Sequence, residues 1–332
     1  MELERIPGKE TKVIGVSKVV IPTLLHPEVP YFVLVLEDEN GNKWAQKTIQ
    51  EYQINDEWIP LNSRYSAKQN KNAVAIWRIK YDILEAIEKA IGLVGGLNVN
   101  SETKVLILPT LISPKHPYLA ANTNPKFLKG IIEYLTKIGG QAKNIKVAAQ
   151  SFDETPIEAS AKKSGLLDVC LKNKVQVLDL AKGNFVKKEK DRFAFQISEE
   201  VFNSNLIINL PILKLDFQLG VKGAIENSLK FLEKESYFSL RRQYSQEEIM
   251  EKLQGAFPNY LTVADAQTIQ KANGLTALLG IILVGFNSIN LDRVFAEIAA
   301  LKELPECLKK VKIENIPITG RAIGEVKYSI KN

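Results

Sequence analysis

Residues 206–227, LIINLPILKLDFQLGVKGAIEN, run from an apolar segment straight into Lys214, Asp216, Lys222, Glu226 and Asn227. A lysine set amid carboxylates can hold a substrate carboxylate or phosphate, and carboxylates can hold a hard cation such as Mg²⁺ through oxygen ligands. Other apolar segments end in the same manner. VLILPTLIS ends at Thr110 and Ser113, LTVADAQ at Asp265 and Gln267, and LVGFNS at Asn287 and Ser288, with Asp292 about one helical turn further on. If these segments lie side by side, their ends converge on one crevice. Lys214 would then anchor an anion. Asp265 and Asp292 would hold a cation or act as bases, and Asn227 would orient the ligand, with Thr110, Asp216, Lys222 and Asn287 lining the site. The competing reading is that strand-end Lys and Asp residues act as helix caps or surface ion pairs.

That convergence needs a particular architecture. In an open α/β sheet, ligands bind beyond the carboxyl ends of the strands. From residue 73 onward the pattern fits. KVLILPTLI, IKVAAQS, VQVLDL, LIINLPIL, YLTVADA and GIILVGF read as buried strands. Between them NPKFLKGIIEYLTKIGG, TPIEASAKKSGL, VKGAIENSLKFLEK, SQEEIMEKLQGAF and NLDRVFAEIAALKE read as helices. Asn124–Pro125 is a helix start, and Ser245 with Glu248 forms a capping-box pattern. AVAIWRIKYDILEAIEKAIGLVGG carries apolar residues at 76, 79, 83, 84, 87 and 91, a helical stripe. VKKEKDR (186–192) reads as a solvated turn. Apolar strands alternating with amphipathic helices predict an α/β domain over 73–332, a mostly parallel sheet with helices on both faces.

Residues 1–72 look different. TKVIGVSKVVIP and YFVLVLEDENGNKWAQKTI are β-branched runs, and Asn40–Gly41 is a hairpin signal. Short strands without helices predict a small barrel of OB type. Tyr31, Phe32, Trp44, Tyr52, Trp58 and Tyr65 would give such a barrel aromatic faces for stacking bases. Yet LEDENGN and NDEW are acidic, which opposes a phosphate track, so nucleic acid is not the expected partner. A partner protein docked on the barrel is.

Other chemistries are narrowed by absence from the sequence. The chain has 332 residues, a net charge of +6 and two cysteines, Cys170 and Cys307, with no CxxC. Neither a structural zinc nor an iron–sulfur cluster is expected. Phosphate-binding GxGxxG and GxxxxGK[ST] loops are missing. The two histidines are His26 and His116. His116, in the loop SPKHPYLAANT, is a candidate acid–base group, but so few histidines argue against a catalytic triad. MELERIPGKE shows no signal sequence, and the longest apolar run, LTALLGIILVGF, is too short to span a bilayer. A cytoplasmic protein with no membrane partner is expected.

The order of landmarks over residues 83–300 resembles the family catalogued as domain of unknown function 362. LVGGLNVNSETKVLILPTLIS stands where that family has a Gly-Gly and a strand entering a KPN-like turn. TNPKFLKGIIEYL matches its Thr-x-Pro helix start, which points to Thr123 as a ligand-binding residue. LKLDFQLGVKGAIEN matches its K-x-H…G-A-I-K-N block, LTVADA its Asp-ended strand, and NSINLD its D-P-V-A-x-D block. Lys214, Asn227, Asp265 and Asp292 keep the family pattern. Leu108, Thr110, Asp216, Glu226 and Asn287 depart from it. The resemblance implies an inherited site whose chemistry has diverged or been lost, and it carries no established activity. Residues 11–60 resemble the OB-fold part of the domain-of-unknown-function 35 family, without its zinc-ribbon cysteines. The expected function is binding of a small anionic metabolite, with or without a divalent cation, at the strand ends. The alternatives are a non-catalytic scaffold whose barrel docks a partner, and a single-strand nucleic-acid binder.

Overall fold

The computed structural model describes residues 11–21, 30–48, 51–56, 58, 69–153, 155–190, 193–253, 256–257 and 260–327. His26, Tyr65, residues 191–192 of the VKKEKDR segment and the first ten residues lie outside these. The chain falls into two compact units, residues 1–69 with 95–98, and residues 70–94 with 99–332.

In the first unit, β1 (Lys12–Val19), β2 (Tyr31–Glu37) and β3 (Lys43–Thr48) form an antiparallel sheet in the order β1-β2-β3. The β2–β3 turn follows from its residues. The Asp38 carboxylate accepts the amides of Asn40 and Asn42, and Gly41 takes φ +78°. Val13, Phe32, Leu34 and Leu36 form the core of this unit, with Trp44 and Trp58 packed edge to face at 6.1 Å. An OB barrel closes on itself. Among the described residues this sheet is open and has three strands, so the closed barrel expected from the sequence is not what they form.

The second unit holds β4 (Val74–Arg78), α1 (Ile83–Leu93), β5 (Val105–Pro109), α2 (Pro125–Lys137), β6 (Ile145–Ala149), α3 (Ile157–Lys163), α4 (Leu166–Lys172) and β7 (Gln176–Asp179). A hairpin of β8 (Phe185–Lys190) and β9 (Phe193–Ser198) follows. Then come β10 (Leu206–Leu210), β11 (Ile212–Asp216), β12 (Gly220–Lys222), α5 (Ala224–Ser228), α6 (Lys234–Arg241), α7 (Gln246–Lys252), β13 (Tyr260–Gln270), β14 (Thr276–Gly285), α8 (Ser288–Ile298) and β15 (Ile318–Gly320). The large sheet runs β15-β4-β14-β13-β10-β5-β6-β7. β13, β10, β5, β6 and β7 are parallel neighbours, while β14 is antiparallel to both β13 and β4. β11 leaves β10 at Pro211 and pairs with the outer half of β13, and β12 folds back on β11.

Three sequence readings are corrected here. Residues 74–78 are a strand, not the start of a helix. Val74 to Trp77 are all buried, as a strand covered on both faces requires, and Asp82 caps α1 by accepting the Leu84 amide, which holds the preceding chain extended. VKKEKDR is not a solvated turn, since its first residues pair with β9. The largest change concerns β14. Its antiparallel course, set by a hairpin at Asn273–Gly274, sends its carboxyl end to the opposite edge of the sheet from the ends of β5, β10 and β13. Among the described residues no helix is long and apolar enough to cross a membrane.

Candidate functional site

At the carboxyl ends of β5 and β10 the chain assembles a buried polar network. The Thr110 hydroxyl donates to Asn227 Oδ1 at 2.9 Å and accepts the Ile212 amide at 3.2 Å. The Asn227 amide nitrogen donates to Asn209 Oδ1 at 2.7 Å and to the Leu108 carbonyl at 3.0 Å, while Asn209 reaches Ala224 O at 2.8 Å. Thr123 Oγ1 donates to Leu210 O at 2.6 Å and accepts the Thr110 amide. A β-strand cannot continue through Pro211 in the sheet centre, and these side chains tie its broken end to α5 and to the start of α2. Thr110, Thr123 and Asn227 thus meet, each satisfied by the chain itself. Asn209 belongs to the same network and was not singled out from the sequence.

Asp265 lies beside this network on β13. Its Oδ2 accepts the Asn124 amide at 3.1 Å and its Oδ1 the Gln267 amide at 3.1 Å. Burial pushes its carboxyl up to about 7, with the two amides pulling the other way. Asp292, on α8, caps α5: Oδ1 accepts Ala224 N at 2.7 Å and Oδ2 accepts Ile225 N at 2.9 Å. Burial raises it also to about 7. The two carboxylates stand at different helix starts, Asp265 at that of α2 and Asp292 at that of α5. Among the described residues no group of three or more His, Cys, Asp or Glu is placed to hold a metal.

Lys214 differs from these. It is 6% exposed, and its ammonium donates to the Ala121 carbonyl. Desolvation lowers it to about 8; Glu226 pulls it up, and Lys222, Lys115 and Lys230 press it down. Lys222 is held at 2.7 Å by Asp216, whose Oδ1 also accepts the amides of Gln218 and Leu219 in the β11–β12 turn. For Asp216, burial acts upward, yet Lys222 and those amides leave its carboxyl below the usual range. Lys230 lies over the Phe152 ring at 3.9 Å, and its lowered pKa comes from burial, offset by Glu226 and Asp153.

Lys230 and Lys115 join Lys214 although strand-end reasoning passed over them. Lys230 was legible as the residue one turn after Glu226 in GAIENSLK. Gln150, at the end of β6, was available to the same strand-end rule. It is 1% exposed, donates to the Lys230 and Leu232 carbonyls at 3.0 and 2.6 Å, and leaves its Oε1 without a partner. Two expected residues lie elsewhere. Asn287 caps α8 at the opposite edge of the sheet, accepting the amides of Ile289 and Asn290. His116 is exposed and caps a short turn by accepting the Tyr118 amide.

These features define an α/β protein of mostly parallel sheet, with its charged groups over the carboxyl ends of the central strands. Residues 105–297, more than half the chain, match the family described as Domain of unknown function (DUF362), and the chain belongs to that family. The matched span runs from β5 into α8 and contains the buried polar network, the two aspartates and the lysines described for this site. Among solved structures, the chain is similar to the lactate racemase apoprotein from Thermoanaerobacterium thermosaccharolyticum, at 13% identity and a TM-score of 0.42. That likeness covers 67% of this chain and 56% of the other, so the chain spans little more than half of that protein. No curated protein matches it.

Proposed function

We propose that this protein binds a small anionic metabolite at the carboxyl edge of its sheet, anchored by Lys214. One observation carries the reading. An ammonium offers three donors, yet among the described residues Lys214 gives one hydrogen bond, to a neutral carbonyl, and forms no ion pair with a carboxylate. A buried charge left unpaired costs several kcal/mol. A bound carboxylate or phosphate would offset that cost, and Lys222, Lys230 and Lys115 add potential of the same sign. Glu226, which acts on both Lys214 and Lys230, supplies an acceptor for the ligand's hydroxyl or amino groups.

Thermal unfolding against phosphates, short carboxylates, CoA esters and divalent metals tests this. A ligand at about 100 times its Kd should add about 2.7 kcal/mol. The expected result is a shift in the wild type that is lost in Lys214→Ala. A shift that survives that change would sink the assignment. A second reading, a scaffold whose N-terminal unit docks a partner protein, is favoured by the self-satisfied Thr110–Asn227–Asn209 network. A wild type that responds to none of these compounds would support it.

A further inference from the structure

The charged groups over the carboxyl edge carry both signs, and three of them leave each other unpaired. Lys214 is 6% exposed and donates to the Ala121 carbonyl. Glu226, in α5, and Lys230, just beyond that helix, are half-buried. The field of Glu226 reaches both ammonium groups. Yet among the described residues none of the three forms an ion pair. Beside them Lys222 and Asp216 close on each other at 2.7 Å.

The spacing makes the missing pair informative. Glu226 and Lys230 stand four residues apart, where Glu and Lys commonly pair along a helix. Here α5 ends at Ser228 and a 3₁₀ turn follows, Leu229–Phe231. The Lys230 ammonium is drawn over Phe152, 3.9 Å from the ring centroid. Phe152 is stacked in turn on Tyr237 at 4.5 Å, so the ring that holds Lys230 is itself fixed. The remaining carboxylates nearby are engaged. Asp153, which acts on Lys230, is exposed and accepts the Ser151 hydroxyl and the Thr155 amide. Asp292, which feels Glu226, keeps its oxygens on the amides of α5. Two ammonium groups therefore face one carboxylate, with Lys115 adding to the positive side. Buried charges without partners are costly, and a ligand of complementary charge would offset that cost. Its complement here has two negative groups and one positive group.

We infer that the ligand of this crevice is an acidic amino acid, a compound with two carboxylates and one ammonium. This rests on the reading of Lys214 as an anion anchor and names the compound it would anchor. One carboxylate would take Lys214, the other Lys230, and the ammonium Glu226. A phosphate or a plain dicarboxylate would satisfy the lysines but leave Glu226 unpaired and repelled.

Compounds that differ by one amino group are the probes: L-aspartate against succinate, and L-glutamate against glutarate, titrated calorimetrically into the full chain. In at least one pair the amino acid should bind roughly tenfold or more tighter than the dicarboxylate, the usual worth of a hydrogen bond between charged groups. Glu226→Gln, which preserves size, should abolish that preference and leave the dicarboxylate bound as well as before or better. Lys214→Ala and Lys230→Gln should each weaken both members of the pair. A dicarboxylate that binds as tightly as its amino acid overturns the inference, and so does a preference that survives in Glu226→Gln. In either case, binding lost in Lys214→Ala keeps that lysine as the anchor. If both pairs fail to bind while a phosphate binds through Lys214, this inference falls alone. If nothing binds through Lys214, the reading beneath it falls as well.

Discussion

Lys214 carries its charge where the chain offers one carbonyl in return, and that leaves a signature in pH. Unfolded, its amine holds a proton to about 10.5; folded, to about 8. Between these values the unfolded state binds more protons, so stability should rise with pH across this window. Urea unfolding at a series of pH values should show that rise, by about 1–3 kcal/mol, and a smaller one in Lys214→Met. Equal slopes in the two proteins would mean the lysine is solvated after all. Asp265 and Asp292 act in the opposite sense. Their folded carboxyls stay protonated up to about 7, against 3.8 ordinarily. From about pH 4 to 7 the folded state binds more protons, and these groups should lower stability as pH rises through that range. Asp265→Asn should flatten the decline, and a decline unaltered by the substitution would refute the assignment. The sequence displayed these residues by type and position. It did not display their partners: whether an aspartate meets an ion or two backbone amides depends on which helix begins next to it, and that is a tertiary fact.

Elements were more legible than sites. The α2 start at Asn124–Pro125 and the capping box at Ser245 and Glu248 form as read, with the box closed at 2.7 and 3.1 Å. Both are local devices, complete within four residues. Strand direction is not local. LTVADA and GIILVGF read equally well as parallel neighbours, and the cue to the contrary was Asn273–Gly274 between them, the same hairpin signal used at Asn40–Gly41. Missing it placed Asn287 at the wrong edge. Two glycines separate conformational from steric demand. At Gly274, φ is +82° and an added Cβ would meet nothing, so Gly274→Ala should cost about 1 kcal/mol from backbone conformation alone. At Gly223, φ is ordinary, but a Cβ would collide with the Asp292 carboxylate and press on Leu213. Gly223→Ala should therefore cost more, about 2–4 kcal/mol, by displacing the α5 cap. Denaturation midpoints for the two variants would order them, and a Gly274→Ala change as costly as Gly223→Ala would contradict the cap's role.

The scale of the whole molecule brings in the contrast between the two units. Among its described residues, the first unit rests on a core of four buried apolar side chains and an open three-stranded sheet. The second packs helices on a sheet whose central strands are buried along their length, around a far larger apolar cluster. Small cores leave little margin over conformational entropy. A sheet with few buried contacts opens locally at low cost, while central strands open only with the global transition. Native-state hydrogen exchange should thus find the amides of β2 exchanging well before those of β5 and β10. Phe32→Ala, in the small core, should lower protection in β1–β3 and leave β5 and β10 unchanged. If protection in the two units rises and falls together, the chain unfolds as one cooperative body, and ligand binding at the carboxyl edge would then protect the N-terminal sheet as strongly as the strands that form the site.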